Sequence, residues 1–107
     1  MTLDEYQRKS LATVKDTANN IPYAALGLAS EAGEVTEKVK KWIRDDNSDP
    51  AKLDKETLAG ELGDALWYIA IMSDMLDMSL GEVAQKNIAK LTDRYQRGKI
   101  GGSGDNR

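Results

Sequence analysis

The sequence predicts an all-α protein, four helices in a bundle-like arrangement completed by oligomerisation. Three observations point there. Apolar residues recur at spacings of three and four. The only two prolines, Pro22 and Pro50, stand where that period is interrupted. No strand-like alternation persists, and no repeat of solenoid length occurs. A first helix is expected from Leu3 to Thr17, opened by Thr2 and Glu5 at capping-box spacing, with Leu3, Tyr6, Val14 and Ala18 as a loose apolar side. Asn19-Asn20-Ile21-Pro22 breaks the chain, because proline suits a first helical turn, where its missing N–H would have no partner. The second helix then runs from Tyr23 to Arg44, and the polar run Asp45 to Pro50 is a turn. A third helix starts at Lys52 or Leu53 and reaches Met78, where Ser79-Leu80-Gly81-Glu82 ends it and offers a second capping box. Leu80 to Arg97 forms the fourth. Residues 1–98 are thus one domain, and residues 99–107, rich in Gly and polar groups, read as a flexible tail.

A chain of 107 residues has room for a single core. No apolar run approaches the roughly 20 residues of a membrane span, and the N-terminal stretch lacks the apolar segment of a secretory signal, so a cytoplasmic location is expected. With no cysteine, disulfides, thiolate nucleophiles and Cys-based zinc sites are excluded. The lack of histidine is more restrictive, since it removes Ser-His-Asp catalysis, HExxH zinc sites and the Glu-x-x-His di-iron bundles. Carboxylates, amines, hydroxyls and hard metals remain. The net charge is −3 with both signs interleaved, which argues against a duplex nucleic acid or a membrane as partner.

Acids stand where a soluble helix would place apolar residues. The second helix carries Ala24, Leu28, Ala32, Val35, Val39, Trp42 and Ile43 on one arc, with Glu31 at its margin and Glu34, Lys38 and Lys41 on the adjoining strip. In the third, Leu58, Leu62, Ala65, Tyr68, Ile69, Met72 and Met75 form an arc that contains Glu61 and Asp64. Burying ionised carboxylates is costly without compensation, and a divalent cation is the simplest compensation. A short connection makes the two helices antiparallel neighbours, which can bring Glu31 and Glu34 opposite Glu61 and Asp64. All-oxygen ligation suits Mg²⁺, or Mn²⁺ as a substitute, and a Mg²⁺ ion held this way takes phosphate oxygens as further ligands. A lone E-x-x-E is ordinarily a solvated face; two such pairs on apolar arcs are less ordinary. Gly33 and Gly63 sit inside EAGE and ELGD, where close helix approach would explain them.

These segments resemble the MazG-like all-α nucleoside triphosphate pyrophosphohydrolases, marked by E-x-x-E, a spacer and E-x-x-D. The likeness rests on GLASEAGEVTEKVKKW, ELGDALWYIA and KNIAKLTDRY, and covers most of the chain. It implies Mg²⁺-dependent conversion of a nucleoside triphosphate to the monophosphate and pyrophosphate, in house-cleaning or nucleotide-pool control, by a homodimer or homotetramer. Glu31, Glu34, Glu61 and Asp64 would hold the metal, and Glu34 or Glu31 would orient the attacking water. Lys38 lies one turn beyond Glu34, suitably for phosphate; Lys41, one turn further, is as readily an i,i+4 partner of Glu37. In the fourth helix Asn87, Lys90 and Arg94 share a face, and the resemblance makes Asn87 and Lys90 substrate contacts. Trp42, Trp67 and Tyr68 are candidates for stacking on a base, Trp67 standing off the main apolar arc. The ending GGSGDNR is similar to endings of small members of the family, where it would order over the nucleotide. A non-enzymatic helical interaction module with an acidic face is the alternative from another class. A metal-storage or redox bundle is disfavoured by the missing histidines.

Overall fold

Thr2 opens α1 (Leu3–Leu11) with a complete capping box. Its hydroxyl accepts from the Glu5 N–H at 3.1 Å while the Glu5 carboxylate accepts from the Thr2 N–H. The computed structural model describes all 107 residues and contains three further α-helices, α2 (Ile21–Asp46), α3 (Lys55–Met75) and α4 (Leu80–Gln96), with no strand. Short 3₁₀ turns occupy Asp16–Ala18 and Pro50–Lys52.

The ends differ from the expected ones for local reasons. α1 stops at Leu11, six residues before Thr17, because the Thr13 hydroxyl and N–H both turn back onto the Ser10 carbonyl. Asn20 caps α2, accepting from the Tyr23 N–H at 2.8 Å, with Pro22 in the first turn. The end of α2 is a left-handed Asn47 (φ 52°). α3 begins at Lys55 instead of Lys52 or Leu53, since Asp54 takes both the N–H and the hydroxyl of Thr57 and is the true N-cap. It ends at Met75, short of Met78, with Asp77 left-handed (φ 58°) just beyond. Of the second capping box only the Ser79 half forms, its hydroxyl accepting from the Glu82 N–H.

α2 and α3 lie side by side. Gly27 faces Tyr68, Glu31 faces Asp64 and Glu61, and Trp42 shares a cavity with Thr57 and Leu58; the α3 number falls as the α2 number rises, so the pair is antiparallel. α1 packs across α3 and α4. Its buried Gln7 donates to the carbonyls of Ala70 and Met78 and accepts from the Leu80 N–H, and Asp4 accepts from the Gly81 N–H. The core is small. Ala18, Ala24, Ala70, Ile71 and Leu80 are its only buried apolar residues, while Leu26, Ile43, Leu62, Leu76 and Ile88 are each at least half exposed. The radius of gyration is 16.7 Å, against about 13 Å for a compact domain of this length. No helix is long and apolar enough to cross a membrane.

Candidate functional site

The antiparallel pairing decides which acids meet. Glu31 from α2 and Glu61 and Asp64 from α3 bring carboxylate oxygens within 4.8 Å of one another. Glu31 and Glu61 are half-buried; Asp64 is exposed. Burial pushes the Glu31 carboxyl above its ordinary value, and its hydrogen-bonding contact with Glu61 and the charges of Asp64, Glu61 and Glu34 act in the same direction. Three all-oxygen donors with unfavourable negative charge fit a hard divalent cation and do not fit the softer metals that favour thiolate. Glu34 stands outside this triad: more than half exposed, it lies 3.6 Å from the Lys38 ammonium.

Lys38 also reaches Glu61, at 3.0 Å, and that hydrogen bond holds the Glu61 carboxyl below, and the Lys38 ammonium above, their ordinary values. Lys41 pairs with Glu37 at 3.3 Å, the helical neighbour its spacing allowed. Beyond Lys38, at the closed end of the α2–α3 pair, a cavity is lined by Lys38, Lys41, Trp42, Lys52, Asp54 and Thr57 among others. The sequence offers no reason to single out Lys52, which at the expected start of the third helix has the signature of any solvated lysine; the Pro50–Lys52 turn brings it to the cavity wall. The Trp42 indole N–H donates to the Asp49 carbonyl at 2.7 Å, which secures that turn.

On the other side of the triad the site is aromatic. Trp67 and Tyr68 meet edge to face, ring centres 5.0 Å apart, and together with Glu31 and Asp64 they line one small cavity. A second, formed by Tyr23, Leu26, Gly27, Ser30, Glu31 and Tyr68, adjoins it. The Trp67 indole donates to the Thr13 hydroxyl at 2.8 Å, which ties α3 to the segment after α1. Burial raises the Tyr68 phenol above its ordinary value. The glycine expectation needs correction. A Cβ on Gly33 or Gly63 would meet nothing within 4 Å, so neither marks a close approach within the chain. The close approach is at Gly27, where a Cβ would overlap the Tyr68 ring.

Asn87 and Lys90 lie elsewhere. They line a groove with Leu76, Met78, Val83, Lys86 and Asp105, and none of the four acids borders it. Gly98 (φ 70°) ends α4 and turns the tail back along it. The Asp105 carboxylate there accepts from Lys90 at 3.1 Å and from Arg94 at 3.2 Å, and the buried Arg94 also donates to the Asp105 carbonyl. Arg107 donates to the carbonyls of Lys99, Ile100, Gly101 and Gly104, closing the tail on itself.

Comparison with known proteins gives this arrangement a context. Residues 22–98 match the model of the MazG nucleotide pyrophosphohydrolase domain. The chain is 44% identical over 92 residues to the Gene 37 protein of Mycobacterium phage L5, covering 86% of this chain and 81% of that protein. It is 33% identical over 81 residues to the uncharacterized protein YvdC of Bacillus subtilis strain 168, covering 70% of this chain and 76% of that one. No solved structure matches.

Proposed function

Since the chain belongs to the MazG nucleotide pyrophosphohydrolase domain family, we propose that it hydrolyses a nucleoside triphosphate to the monophosphate and pyrophosphate with Mg²⁺, or with Mn²⁺ in its place. The observation that carries this reading is the meeting of Glu31, Glu61 and Asp64 beside an ammonium, Lys38. Bound Mg²⁺ would supply charge neutralisation of the triphosphate and acidification of water. Glu31, Glu61 and Asp64 hold the cation, with Glu34 able to join from its exposed position one turn along α2. Glu31 or Glu34 orients the attacking water and receives its proton as the bond between the α- and β-phosphates breaks. Lys38 and Lys41 receive the departing pyrophosphate charge. Tyr68 and Trp67, on the opposite side of the acids, offer ring faces to the base.

The protein works as a homodimer or homotetramer in this reading. A second copy covers the exposed Leu26, Ile43, Leu62 and Ile88. Asn87, Lys90 and Arg94, remote from the acids of their own chain, then meet nucleotide from that second copy, Arg94 once Asp105 gives way.

A panel of ribo- and deoxynucleoside triphosphates with Mg²⁺, assayed for pyrophosphate and orthophosphate separately, tests the activity. Pyrophosphate is expected as the first product, and Glu61→Gln should reduce its release by roughly a hundredfold or more, typical of losing a group that acts on the transition state, with helical circular dichroism unchanged. Orthophosphate as first product, or no release from any nucleotide, would refute it.

A further inference from the structure

Lys38 borders two places at once. Its ammonium is 3.0 Å from Glu61 and 3.6 Å from Glu34, and the residue also lines the cavity bordered by Lys41 and Lys52. Glu61 is at the same time one of the three acids whose oxygens lie within 4.8 Å of one another. The ammonium takes one Glu61 oxygen and leaves the other open, but a divalent cation on the same carboxylate would stand close enough to repel it, so the two cations compete for one negative charge. Lysine is suited to such an exchange: it is a compact charge on a four-carbon stem, with no fixed fork that would hold it to one geometry. The neighbouring cavity is suited to receive it. Of the three acids that line it, Asp45 is bonded to Arg44 and Asp54 is committed to Thr57 at the start of α3, which leaves Asp46, with no ion-pair partner, to meet an incoming ammonium; Lys52 has no ion-pair partner either.

We propose that Lys38 is a movable cation. It neutralises Glu61 and Glu34 in the metal-free chain, yields Glu61 when a divalent cation arrives, and carries its charge into the Lys41–Lys52 cavity, where Lys52 joins it in binding the pyrophosphate end of the substrate. The second half of this exchange rests on the hydrolase reading; the first half does not. Metal entry thereby prepares the anion site, and a cation is present at Glu61 at every stage.

Two binding measurements on the full chain, neither needing turnover, test it. In the first, Mn²⁺ is titrated by electron paramagnetic resonance without nucleotide. Lys38→Met should bind Mn²⁺ roughly fivefold more tightly than wild type, the upper end of what a partly exposed ion pair contributes, and Lys52→Met should bind it as wild type does. In the second, inorganic pyrophosphate is titrated calorimetrically in the presence of Mg²⁺, and both variants should bind it several-fold more weakly. Equal or weaker Mn²⁺ binding by a Lys38→Met chain of unchanged helicity overturns the exchange, and undiminished pyrophosphate binding by Lys52→Met overturns the assignment of the cavity. Should both titrations come out as expected while no nucleotide is hydrolysed, the hydrolase reading falls, the displacement of Lys38 from Glu61 by the cation stands, and the cavity remains a pyrophosphate site without an assigned substrate.

Discussion

Burial and the neighbouring acids hold the Glu31 carboxyl above its ordinary value, and its behaviour with pH follows. Unfolded, it ionises near its ordinary value of 4.5; folded, burial and the adjoining acids raise that value. Between the two the folded chain holds the additional proton, so this residue's contribution to stability falls as pH rises from about 4.5 through the raised value and stays lost above it. The melting temperature of Glu31→Gln should therefore gain on wild type across that window and then keep a constant lead, which Mg²⁺ should narrow by stabilising the wild type at neutral pH. A gap that does not change between pH 4 and pH 8 would refute this account. Gly27 is a second residue with a definite consequence. Because a Cβ would overlap the Tyr68 ring, Gly27→Ala should cost about 2 kcal/mol by overpacking, measured by urea denaturation, while Gly33→Ala should be tolerated. Helical periodicity could place an acid on a face, but not show which glycine another helix would touch; that depends on the register between helices.

Among the elements, α1 depends on one side chain for its attachment. Gln7 bonds to the Ala70 carbonyl within α3, to the Met78 carbonyl in the connection that follows and to the first N–H of α4, joining three helices. Gln7→Leu keeps the volume and leaves the Met78 carbonyl and the Leu80 N–H without partners, for a loss of about 3 kcal/mol and a corresponding fall in the urea midpoint. A variant as stable as wild type would mean that water replaces these bonds. Gln7 was absent from the apolar side read for α1, because a polar residue that closes buried helix ends has the same signature in a sequence as one facing solvent. Thr2 was legible at the start of α1, since a cap is a local bond between residues two or three apart, whereas Asn20, the cap of α2, fell inside the expected break. Asp54 was not legible either: the expected helix starts before it, at Lys52 or Leu53, and only the bond to Thr57 marks it as the cap.

At the scale of the molecule, nine buried residues out of 107 leave a single chain with little interior, and the proposed association supplies what it lacks. Sedimentation equilibrium should return a mass at least twice that of one chain, and Leu26→Glu with Leu62→Glu, both on strongly exposed positions, should reduce it to one. A wild-type mass equal to one chain at every concentration would refute the association. The site has the same character: its acids and Lys38 come from α2 and α3, while Asn87 and Lys90 face a separate groove of their own chain.

Helix type, the two acid pairs, the lack of softer ligands and the family likeness were all determined by the sequence alone, because each rests on spacing within one segment or on which residue types exist. Tertiary structure decided the rest. It selected Glu31, Glu61 and Asp64 as the converging acids with Glu34 at their edge, gave Lys38 to Glu61 as well as Glu34, brought Lys52 to the cavity wall and set Asp105 against Arg94. Each of these depends on how far one helix slides along another or where a turn releases the chain, and residues distant in sequence meet only once packing has set those distances.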